Sequence, residues 1–271
     1  MTQNIVGNLV TRRRFLGGTA AVAACAVAFL AFPANAFVIL APGSTIAGKS
    51  IADWTADWFT WAWQAPVTSS PLLDTTGEFA NENNNGPVFF IAGTAGGNAV
   101  RSFDVPGGRP ILIPMINLFD TLDPPALTDA IINDFLAHVT DAFAIIDGVS
   151  VANPFSFLEV TDFFSMGPVR ADGLLGTLFP SIVGVDAFPT KGAGYWLMVD
   201  GLAAGPHTFT FGGSCSSSLS CGEGFSTTVS DSISVVPEPA PLGLLVAGLV
   251  GLGVIRCRRD TRVRSLGAKE R

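Results

Sequence analysis

"GYWLMVDGLAAGPHTFTFGG", Gly194 to Gly213, decides how the middle of this chain folds. Tyr195 to Val199 is a short run of aromatic and aliphatic residues, Gly201 to Pro206 carries turn chemistry, and His207 to Phe211 alternates polar with aromatic side chains. Such runs, bounded by Gly and Pro, read as strands separated by a turn. Working outward, "SFLEVTDFF" (156–164) and "FSTTVSDSISVV" (225–236) read the same way. Upstream, so do "PVFFIAG" (87–93), Val100 to Val105, and "PILIPMIN" (110–117) after the turn residues Pro106, Gly107 and Gly108. Pro114 inside the last run predicts an edge or a bulge, because proline donates nothing to a ladder. "GTAGGNAV" (93–100) lacks the spacing of a nucleotide fingerprint and reads as a hairpin turn.

Two segments break the strand pattern. "SIADWTADWFTWAWQAP" (50–66) places Ile51, Trp54, Trp58 and Trp61 on one helical face, with Ser50 and Asp53 imitating a capping box and Pro66 ending the run. A stripe of rings at this spacing predicts packing against a sheet, leaving Trp63, off the stripe, as the exposed ring and a possible ligand contact. "DPPALTDAIINDFLAHVTDAFAIIDG" (123–148) carries Leu127, Ile131, Phe135, Val139, Phe143 and Ile146 near helical spacing, and predicts one amphipathic helix with His138 on or beside its apolar face. The fold class expected is mainly β: an antiparallel β-sandwich decorated by two amphipathic helices, plus an N-terminal signal helix and a short C-terminal transmembrane helix.

The two ends read as addresses. Arg12, Arg13 and Arg14 precede the apolar run Phe15 to Phe32, and small residues at Ala34 and Ala36 predict signal cleavage after Ala36. Arg12-Arg13 with Phe15 and Leu16 resembles a twin-arginine export signal, so the partner expected is an export translocase; a Sec signal with a generous basic flank is the other reading. Val22-Ala23-Ala24-Cys25 looks like a lipid-attachment box, but the apolar run continues past Cys25. At the other end Leu242 to Ile255 is apolar or glycine throughout and is followed by Arg256, Arg258 and Arg259, a retention cluster on the cytoplasmic side.

Pro237-Glu238-Pro239, this short apolar helix and the basic cluster together resemble the PEP-CTERM sorting signal. That resemblance implies an exosortase-type membrane enzyme as processing partner, in a Gram-negative bacterium that makes exopolysaccharide. The chain then divides into a signal peptide (1–36), an exported domain (37–236), a sorting signal (237–259) and a cytoplasmic tail (260–271). The exported part also resembles secreted bacterial domains of unknown function, through the Trp-rich helix, Asp74-Thr75-Thr76-Gly77, "GPVFFIAGT", "VPGGRPILIP", "IIDG" and the opening stretch. This likeness implies a shared fold and carries over no catalytic residue.

Residues 37–236 hold five basic residues against nineteen acidic ones, a net charge of −14 that the whole-chain value of −7 conceals. Such a surface repels phosphate backbones, so nucleic acid is not an expected partner. Cys215 and Cys221, in the Ser- and Gly-rich "GGSCSSSLSCGEG", are expected to form a disulfide in an oxidising compartment. The polar stretch 71–86 reads as a solvated loop, although Asp74, Glu78 and Glu82 with its asparagines offer oxygens that calcium accepts. No cofactor or other metal is expected. Neither a GxSxG elbow nor a phosphate loop is present, and His207 sits beside a turn.

Two functional readings follow. The first is an exported, exosortase-processed protein of the cell surface or extracellular matrix, non-catalytic and associated with exopolysaccharide, anchored transiently and then displayed or released. The second is an extracytoplasmic glycan-acting hydrolase using Asp or Glu, which would require two carboxyl groups about 5 to 9 Å apart in one aromatic-lined cleft.

Overall fold

The computed structural model describes residues 37–237. The export-signal residues Arg12, Arg13, Phe15, Leu16 and Ala36 lie outside the described residues. So do Glu238, Pro239, the apolar run and Arg256, Arg258 and Arg259. Among the described residues no helix is long and apolar enough to cross a membrane.

In chain order the elements are β1 (Val38–Ile39), β2 (Thr45–Ile46), β3 (Lys49–Ser50), α1 (Ile51–Gln64), β4 (Phe89–Phe90), β5 (Gly97–Pro106), β6 (Ile111–Thr121), α2 (Pro125–His138), β7 (Val139–Ile146), β8 (Val149–Ser150), β9 (Leu158–Val160), α3 (Leu174–Leu178), β10 (Thr190–Asp200), β11 (Gly205–Cys215) and β12 (Phe225–Val236). The chain is mainly β. One five-stranded sheet runs β1-β10-β6-β4, with β9 also on β10, and a second runs β5-β12-β11-β7-β8; β2 and β3 form a small ladder of their own.

The opening stretch explains this arrangement. Its two strands, β10 and β11, do not pair: the turn between them carries the chain from the first sheet to the second. Pro106–Pro110 does the reverse between β5 and β6, and the Gly93–Gly96 segment, expected to be a hairpin turn, likewise crosses from β4 to β5. Because these three connections cross between sheets, β10 pairs with β6 and β12 with β5 across long stretches of chain, while β11 with β12 and β7 with β8 remain pairs of sequence neighbours. Two of these pairings, β5 with β12 and β4 with β6, are parallel, which corrects the purely antiparallel expectation.

β10 is buried along almost its whole length. Tyr195, Leu197 and Val199 point into a core shared with Phe209, Phe211, Val229 and Ile233 of the second sheet, while Trp196 and Met198 point into a second core under α1 and α3. An unbroken apolar run suits a strand covered on both faces. Gly192 lets α1 approach: a Cβ there would run into the Phe59 ring. Pro114 sits at the predicted bulge, with Trp196 opposite Pro114 but Tyr195 opposite Ile116, so that Met115 is the extra residue.

α1 matches its expectation, with the Ser50–Asp53 capping box formed and Ile51, Trp54 and Trp58 buried. The indole N–H groups of Trp54, Trp58 and Trp61 donate to the carbonyls of Ile46, Ile91 and Glu82. The second helix is shorter than expected. It stops at His138, and 139–146 is strand β7, whose Ala142, Ala144 and Ile146 point inward at a spacing of two. The buried face of α2 is Thr128, Ile132 and Phe135, while Leu127 is exposed. Val139 and Phe143, four apart, share a face in a helix and also in a strand, whereas Ile146, three beyond Phe143, shares their face only in a helix and turns to the other face of β7, so the helical spacing of the three is overridden by pairing with β11.

Candidate binding cleft

Where the two sheets and both long helices come together, the sequence leaves a hollow of about 340 Å³. α1 contributes Trp63, β6 contributes Asn117 and Phe119, and α2 contributes Phe135. The far wall is the disulfide loop, through Ser220 and Cys221, with Phe225 and Thr227 at the start of β12 and Thr94 from the β4–β5 crossing. Among the described residues, none of the side chains lining the cleft is ionisable in this state, since Cys221 is held in the bond to Cys215.

The cleft is a built structure. Trp63 meets Phe119 edge-on at 4.9 Å between ring centres. Thr94 and Thr227 share a hydrogen bond of 2.7 Å between their hydroxyls. On the disulfide loop, the Ser220 amide and hydroxyl both donate to Asp134 Oδ2 of α2, at 2.9 and 2.8 Å, which fixes the loop against the helix. Those bonds hold the Asp134 carboxyl below its ordinary pKa. Two polar groups stay uncommitted: the Asn117 carboxamide and the Trp63 indole N–H take no hydrogen-bond partner among the described residues.

A second hollow of about 300 Å³ lies beside the first, sharing Phe119 and Phe179 as walls. Among the described residues lining either hollow, Asp120 is the one carboxylate. Burial raises its pKa; the Thr128 hydroxyl, 2.7 Å away, opposes that rise and Asp123 adds to it.

No family model, no curated protein and no solved structure matches this chain. The site is therefore read from its own geometry.

The expected site residues divide. Cys215 and Cys221 are bonded, with their Cα atoms 6.1 Å apart. Trp63 is half-buried and walls the cleft rather than standing free. Asp74 is buried, and both its oxygens are taken: Oδ1 accepts from the amides of Thr76 and Gly77 and the Thr76 hydroxyl, and Oδ2 from the Phe79 amide. Burial raises its pKa, but these donors outweigh burial and leave it lowered. Glu78 and Glu82 are exposed, and no group of three or more His, Cys, Asp or Glu side chains that could hold a metal ion occurs among the described residues. His138 ends α2 with Nδ1 2.8 Å from the Asp134 carbonyl oxygen, and His207 is buried between Asp147 Oδ2 at 2.7 Å and the Ala203 carbonyl at 2.9 Å, clamping the β10–β11 turn.

Asn117, Phe119, Thr94, Phe225 and Thr227 escaped the sequence reading. They come from segments far apart in the chain, and the only local trace was a polar Asn closing the apolar run "PILIPMIN".

Proposed function

We propose that this chain is an exported, non-catalytic display protein: a twin-arginine-like signal exports it, the Pro237-Glu238-Pro239 segment hands it to an exosortase-type enzyme, and the domain is presented in extracellular polysaccharide. The two sheets sharing one core are, in this reading, the layers of a β-sandwich. The cleft is its binding site.

The observation that carries this reading is the polarity of the domain. β1 pairs with the last residues of β10, and β12 ends at Val236 beside Pro106 and one residue past the Val235–Gly205 pair, so Val38 and Val236, near the two limits of the described residues, both lie near the β10–β11 turn. The cleft is lined by Phe225 and Thr227 at the opposite end of β12. From Thr227 to Val236 the strand spans about 30 Å at about 3.3 Å per residue. A domain tethered through Pro237 would hold its cleft away from the tether.

β-Lactamase fused after Val236, read as ampicillin resistance of intact cells, tests the export and topology, because it needs no disulfide formed after export to be active. Activity there, with none when the fusion follows Arg271, is the expected result; activity after Arg271 would overturn it.

A further inference from the structure

We infer that the cleft binds a neutral amphiphile: an alkyl chain or fused ring enclosed by the aromatic walls, with an uncharged hydroxyl or ester end at Asn117. This rests on reading the cleft as a binding site and names the class of its ligand.

Volume is the first argument. At about 340 Å³ the hollow lies at the lower end of the roughly 300–1,000 Å³ of small-molecule pockets, room for a short alkyl chain or a fused ring. The second argument is wall chemistry. Trp63, Met115, Leu118, Phe119, Phe135 and Phe225 present carbon to the hollow, so its filling is favoured by removing apolar surface from water. A sugar ring of the same size would bring many hydroxyls to a wall with few unspent partners, and each one left unpaired costs free energy. The third argument is charge. Among the described residues no cationic side chain lines the hollow, and the domain carries nineteen acids against five bases, so a carboxylate or phosphate headgroup would enter uncompensated. A neutral polar end instead meets the free Asn117 carboxamide and the free Trp63 N–H, which supply two kinds of donor and one acceptor.

The test is photolabelling of the full chain with a diazirine analogue of octanol or of octanoate, followed by digestion and mass spectrometry of the labelled peptides. The alcohol is expected to label cleft peptides containing Trp63, Asn117 or Phe225 at least about tenfold more than the acid, because burying an unpaired charge is the larger cost. Ala95→Trp, at an exposed position on the cleft margin, should abolish that label without changing the melting temperature. Equal labelling by the acid, or label that persists in Ala95→Trp, would overturn the inference. If neither probe labels the cleft but a neutral oligosaccharide quenches tryptophan fluorescence in wild type and not in Trp63→Phe, the amphiphile is wrong and the binding site stands. If neither probe nor oligosaccharide engages it, both readings fall.

Discussion

Arg101 and Asp231 are register partners on the parallel strands β5 and β12, both buried, yet no hydrogen bond joins them. Arg101 instead donates to the carbonyls of Asp74, Ala92 and Gly93 at 2.6 to 2.8 Å, pinning the segment that leads into the cleft. Burial pushes Asp231 up to about 7; Arg101 opposes the rise and Asp74 adds to it.

The sign of the resulting pH dependence is fixed by that direction. An acid whose folded-state pKa is raised binds its proton more tightly when folded, so stability falls as pH climbs from about 4 towards about 7 and then levels off. The loss attributable to Asp231 is on the order of 4 kcal/mol. Denaturant titrations across this range should show the slope flattened in Asp231→Asn, with the variant more stable than wild type at pH 8. Parallel pH profiles for the two proteins would contradict the assignment. Below about pH 4 the trend reverses, because the lowered Asp74 loses its stabilising contribution as it is protonated.

Asp74→Ala removes an acceptor for four donors, leaving the amides of Thr76, Gly77 and Phe79 to find water. The expected cost is about 2 to 3 kcal/mol, read from chemical denaturation. Adding calcium should leave the wild-type melting temperature unchanged if the carboxylate serves the loop and no cation.

Gly192→Ala puts a methyl group against the buried Phe59 ring. Overpacking of this kind costs about 1 to 3 kcal/mol, and the loss should appear as a lower denaturation midpoint with the same slope. Unchanged stability would mean that α1 sits less closely on β10 than described.

Cys221→Ser opens a short loop between Cys215 and Cys221. About 2 kcal/mol should be lost by the chain-entropy estimate, and reductant should lower wild-type stability by a similar amount while leaving the variant unaffected. A variant as stable as oxidised wild type would remove the disulfide from the stabilising contacts.

Local chemistry made α1 legible: Ser50, Asp53, the tryptophan steps and Pro66 all state the same helix. The strands were legible for a similar reason, since β-forming runs alternate with Gly- and Pro-rich turns. Sheet membership was not. Whether a turn such as Gly201–Ala204 closes a hairpin or crosses between sheets depends on what the distant strand β12 offers, and β5 pairs with β12 across more than a hundred residues. The α2–β7 junction was hidden because no Gly or Pro separates His138 from Val139. The cleft was hidden for the same reason as the sheet order: its walls meet only in three dimensions. The disulfide, confined to one short loop, could be read directly.

Fractionation of producing cells, with immunoblotting against the exported domain, tests the display reading most directly. Wild type is expected as a shortened form outside the membrane fraction, and Glu238→Ala as a full-length form retained in the membrane with the domain's melting temperature unchanged. Identical size and distribution of the two proteins would contradict processing at Pro237-Glu238-Pro239 and, with it, the proposal that this domain is sorted to the cell surface.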